Sequence, residues 1–105
     1  MVEKLFKHML EEKHDFYGYL MMYEHAGHDA TVKATLKTIA EQESHHFKML
    51  YDIIFKDEPG KVWTPMEAMV KHEAGEWYEE MVEELKYQDQ QSKTKKLSRG
   101  NKYGK

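Results

Sequence analysis

ATVKATLKTIAEQESHHFKMLYDII, residues 30–54, is the stretch that decides the fold. Positions 32, 36, 39, 43, 46, 50 and 53 alternate steps of four and three, the spacing of one α-helical face. Val32, Leu36, Ile39, Leu50 and Ile53 make that face aliphatic, as a core-facing helix requires. Glu43 and His46 interrupt it, an acid and an imidazole one turn apart on the same side. Burying an unpaired carboxylate costs on the order of several kcal/mol, so the pair calls for a partner, and a metal ion suits both groups. The spacing therefore predicts a helix that is part core and part site.

The preceding segment repeats the pattern. Leu5, Met9, Glu12, Phe16, Tyr19, Tyr23 and Ala26 form a stripe on a helix expected over residues 2–26, and Glu12 alone breaks it with a charge. Gly27 stands where a helix C-terminal glycine belongs, and Asp29 can cap a second helix reaching about Phe55. Asp57-Glu58-Pro59-Gly60 is a breaker, and Thr64-Pro65-Met66-Glu67 has the form of a capping box with proline at the first helical position. A third helix follows over about 65–88, with Met66, Val70, Trp77, Met81 and Leu85 expected inward. β-branched residues are few and nowhere alternate, so the class is all-α: an antiparallel hairpin plus a third helix.

Counting along the hairpin brings the charges together. Glu12 lies fifteen residues before Gly27, and Glu43 fourteen after Asp29. At about 1.5 Å of rise per residue, the two carboxylates share one height. The same height on the third helix falls near residue 76, within Glu73-x-x-Glu76. Glu12, Glu43 and His46 are therefore the expected metal ligands and catalytic residues, with Glu73 and Glu76 as extra ligands or a metal entry point.

Two carboxylates and one imidazole form a mostly hard donor set that suits iron, or manganese, over structural zinc, which usually brings cysteine. A helical bundle holds two such ions with one Glu from each of two helices and a Glu-x-x-His from each of the other two. This chain supplies half of that set, so a two-fold dimer completes it. Four carboxylates then balance the four charges of a diferrous pair.

The residues Ile39-Ala40-Glu41-Gln42-Glu43-Ser44-His45-His46 resemble the second-helix motif of rubrerythrins and other ferritin-like proteins, and Glu12 with Tyr19 seven residues later resembles the first-helix pair. The short chain is most similar to encapsulated ferritins, which hold half a ferritin fold and build the iron site between subunits. The resemblance implies a ferritin-like bundle completed by dimerisation, iron ligation by Glu12, Glu43 and His46, and a supporting role for Tyr19 beside the ligands. It implies an oxidoreductase, a di-iron ferroxidase converting Fe(II) to Fe(III) with dioxygen or peroxide for iron storage or detoxification. Its partners would be further copies of itself, as a dimer or ring of dimers, and a protein shell. The resemblance covers residues 5–55 well and 65–88 loosely. Glu73-x-x-Glu76 on a long third helix is more like a rubrerythrin, whereas the fourth helix and cysteine-ligated iron domain of that group have no counterpart here.

Composition narrows the alternatives. With 105 residues there is one small domain, expected over 1–89, followed by a basic tail over 90–105. The absence of cysteine rules out thiolate metal sites and disulfides. No 18-residue apolar run and no leader-type apolar centre occur, which points to a cytoplasmic protein, or one inside a protein compartment. The net charge of −3 conceals an acidic body and a tail with six bases and no acid. That tail is the one argument for nucleic acid, and no helix-turn-helix signature accompanies it. A second function class stays open: a non-catalytic helical assembly module, tethered by its basic tail, in which Glu12, Glu43 and His46 set partner register.

Overall fold

The computed structural model describes the backbone of residues 2–103 and the side chains of residues 2–91. It contains three helices, α1 (Val2–His25), α2 (Ala30–Ile54) and α3 (Pro65–Tyr103), and no strand among the described residues. The punctuation is that expected from the sequence. Gly27 closes α1 with a φ of +69°, a region that favours glycine. The Val32 amide donates to Asp29 Oδ1 at 3.0 Å, satisfying one of the orphaned amides at the start of α2. At the start of α3 the Glu67 amide donates to Thr64 Oγ1, and the Thr64 amide donates to Glu67, both at 3.1 Å. These bonds hold the Glu67 carboxyl below its ordinary range, the backbone bond from Thr64 contributing most. The loop between α2 and α3 is tied by Asp57, which accepts from Trp63 Nε1 at 3.0 Å and pairs with Lys71 at 3.3 Å.

α1 and α2 pack closely as an antiparallel hairpin, and α3 lies along α2. Met9, Phe16, Phe47, Ala40, Ala74 and Met81 are fully buried between them. The Phe47 and Tyr78 rings stack with centroids 6.4 Å apart, and the Lys13 ammonium sits 4.2 Å from the Trp77 ring centre, so all three helices meet at one level.

Three expectations are corrected. The buried positions of α2 are Ala40, Ser44, Phe47 and Ile54, one residue on from the expected stripe. Val32 and Ile53 are exposed, the latter at 59 %, and Leu36, Ile39 and Leu50 are half-buried. The reason is that α2 must serve two neighbours, and the side that meets both α1 and α3 is rotated away from the aliphatic stripe. On α3, Met66 is 70 % exposed, because the helix begins beyond the end of the hairpin core. α3 also continues past the expected end near residue 88 to Tyr103. Residues 89–99 contain neither proline nor glycine and are rich in Gln, Lys and Ser, so nothing stops the helix there.

Candidate metal centre

The helix hairpin brings Glu12 from α1 to Glu43 and His46 from α2. His46 Nδ1 lies 3.6 Å from Glu12 Oε2 and 4.0 Å from Glu43 Oε2. One donor atom from each residue falls within 4.8 Å of the others, and no other group of three metal-ligating side chains does so among the described residues. Ligands about 2.2 Å from one ion lie at most about 4.4 Å apart, so small side-chain rotations suffice for all three to share it.

Burial grades across the site. The side chains of Glu43 and Glu12 are 16 % and 24 % exposed, while His46 is 53 % exposed. Glu12 Oε2 is closed off from solvent and has no hydrogen-bond partner, the single such side-chain oxygen or nitrogen among the described residues. An anionic oxygen without donors is costly, and the nearest charge complement in the chain is an imidazole beyond hydrogen-bonding distance. The donor set and the orphaned oxygen both fit a cation.

The site opens to one side. Val32, Ile39, Leu50 and Ile53 share the α2 stripe with Glu43 and His46, and this stripe is exposed or half-buried along its length. Where sequence periodicity predicts core, the single chain therefore shows an uncovered apolar strip with an acidic centre.

Tyr19 is half-buried against the core, and the described hydrogen bonds include none from its hydroxyl to the three residues. Glu73 and Glu76 are exposed on α3 and are not brought into the group. Glu76 instead pairs with His72 at 2.9 Å. The mismatch is one of height: Tyr78 stacks on Phe47 and Gly75 meets Tyr51, so residues 73–76 lie about two turns or more along α2 from Glu43, and Glu76 lines a groove with Tyr51 instead. His8 pairs with Glu11 at 3.3 Å, and His45 is exposed.

Counting missed a second acidic feature. Glu76, Glu79, Glu80, Glu83 and Glu84 line a shallow groove along α3. Glu80 and Glu84 stand close enough to Tyr17 that, after burial, their charges raise its phenol above the ordinary range. The sequence signal was the run Glu76-Trp77-Tyr78-Glu79-Glu80-Met81-Val82-Glu83-Glu84, whose acids recur around one helical side.

Compared with family models, curated proteins and solved structures, the chain matches none.

Proposed function

We propose that the chain is a ferroxidase whose iron site is completed when two copies join through the open face of the α1–α2 hairpin. The observation that carries this reading is the unpartnered, solvent-shielded Glu12 oxygen grouped with Glu43 and His46. Fe(II) is the substrate. In the reaction two Fe(II) ions each give up one electron, and dioxygen with two protons accepts both to become hydrogen peroxide.

The protein's own residues hold the ions and tune the exchange. Glu12 and Glu43 supply anionic oxygens, and a pair of chains supplies four, which offsets two divalent ions. Anionic oxygen donors favour the more highly charged ferric product, so they drive the oxidation as well as binding. His46 provides one neutral nitrogen per chain and, being half exposed, keeps the route to solvent open. The Val32, Ile39, Leu50 and Ile53 stripe removes water from around the carboxylates once a second copy covers it, which strengthens their hold on the cation.

A helical interaction module without catalysis is the competing reading, and the 3.6 Å approach of His46 to Glu12 favours it, since a protonated imidazole partly offsets the buried charge. Stopped-flow oxidation of Fe(II) in air, followed by near-ultraviolet absorbance, separates the two. Wild-type protein is expected to accelerate ferric formation with saturation near one iron per chain, and Glu43→Ala to abolish the acceleration. Equal rates for the two proteins would end the ferroxidase reading in favour of the interaction module.

A further inference from the structure

Methionine is ordinarily among the most buried side chains. Here Met9 and Met81 are fully buried, yet Met21, Met22, Met49, Met66 and Met69 are 55–70 % exposed. An exposed thioether contributes little to the core, and what sets it apart from a leucine there is a sulfur that can be oxidised. Which of the five meets an oxidant depends on where each stands relative to the metal centre.

Met49 stands beside it. It follows His46 by three residues on α2 and His45 by four, the two spacings that make helical side chains neighbours, about 5–6 Å apart at Cβ. A long helical side chain leans back over the preceding turn, so the Met49 thioether covers the turn that carries both imidazoles. That turn is the open end of the site, since His46 is half exposed while Glu12 and Glu43 are mostly covered. Around the helix Met49 stands about 60° from His46 and about 40° beyond Ile53, at the outer edge of the apolar stripe. The other four are remote. Met21 and Met22 follow Glu12 by nine and ten residues, about 14–15 Å along α1. Met69 precedes Gly75, the neighbour of Tyr51, by six residues on an antiparallel helix, so it and Met66 lie about 16 Å or more beyond the level of His46.

We infer that Met49 is an oxidative modification site, where peroxide formed at the metal centre is taken up as methionine sulfoxide before it reaches solution. The inference rests on the ferroxidase reading of that centre, which supplies the hydrogen peroxide. In the step the O–O bond breaks and an S–O bond forms. The sulfur loses two electrons, and the second oxygen leaves as water with both peroxide protons. Free peroxide oxidises thioethers slowly and meets every exposed methionine alike. Peroxide polarised by the ferric product reacts with the sulfur nearest to it, and that sulfur is Met49.

Peptide mass spectrometry after a single turnover tests this in full-length protein, with oxygen gain read at each methionine. Given about one Fe(II) per chain in air, wild type is expected to carry at least about five-fold more sulfoxide at Met49 than at Met66, although Met66 is the more exposed. Hydrogen peroxide added to metal-free wild type is expected to follow exposure and show no preference for Met49. Glu43→Ala given iron is expected to show none either. Met49→Leu, a swap of similar volume, is expected to oxidise iron at the wild-type rate and leave more peroxide in solution. Iron oxidation by wild type with no more Met49 preference than added peroxide produces would overturn the inference and leave the ferroxidase reading standing. A preference that persists in Glu43→Ala would overturn it as well, by detaching the oxidation from the metal centre. If wild type oxidises no iron, the ferroxidase reading and the inference fall together.

Discussion

The two sides of α2 differ by about one residue in register and by everything in their state of completion. Ala40, Ser44, Phe47 and Ile54 are buried against α1 and α3, with the Ser44 hydroxyl donating to the Glu41 carbonyl at 2.6 Å. Ile39, Glu43, His46, Leu50 and Ile53 lie beside them with apolar surface uncovered and, across the hairpin, a carboxylate oxygen without a partner. One side of the helix is a finished core and the other is exposed or half-buried along its length. The contrast teaches that periodicity reports where a helix must be covered, but not whether its own chain supplies the cover.

That contrast can be broken by substitution on either side. Phe47→Ala empties a fully buried position and is expected to cost about 3–5 kcal/mol of unfolding free energy in urea, with or without iron. Glu43→Ala acts on the other side: iron oxidation falls by at least about 100-fold, beyond what loss of an outer hydrogen-bond partner does to a metal site, while urea stability hardly changes. Ile53→Asn, at an exposed position on the same stripe, leaves the unfolding of a single chain within about 0.5 kcal/mol. It is expected to weaken the dimer by about 10-fold or more in sedimentation, since burying an aliphatic side chain is worth about 1.5–3 kcal/mol. An unfolding loss for Ile53→Asn as large as that for Phe47→Ala would mean that the two sides are not distinct.

The smallest effect sharpens the comparison from outside it. Thr64→Ala removes the hydroxyl that caps α3 and is expected to cost about 1 kcal/mol. Because the Glu67 carboxyl is depressed by its bonds to Thr64, its contribution is full above the ordinary value of 4.5 and disappears as pH falls through the lower folded value. Melting temperature in wild type should therefore decline below that pH more steeply than in Glu67→Gln, and parallel curves would contradict the capping role.

Much of this was legible in the chain, for physical reasons particular to each residue. Gly27, Asp29, Thr64, Pro65 and Glu67 act through local backbone geometry, so their meaning survives without tertiary knowledge. The meeting of Glu12, Glu43 and His46 followed from residue counts across a tight hairpin, because helical rise is nearly constant. Rotation about the helix axis was less legible. It made Phe47 rather than Leu50 the buried residue. The height of α3 was also less legible: the helix begins beyond the hairpin core, which leaves Met66 outside, and Glu73 and Glu76 lie nearer Tyr51 than Glu43. Height across a tight turn follows from counting, whereas height across the longer α2–α3 loop and rotation both depend on how three helices pack. The end of α3 was missed because a run of bases suggested a tail although no breaker stops the helix.

The most direct test is an anaerobic Fe(II) titration read together with mass by sedimentation. One Fe(II) bound per chain, with metal-favoured pairing of two chains and no binding by Glu12→Ala or Glu43→Ala, is the result predicted for a site shared between copies. Failure of wild type to bind Fe(II), or equal binding by wild type and Glu43→Ala, would contradict it.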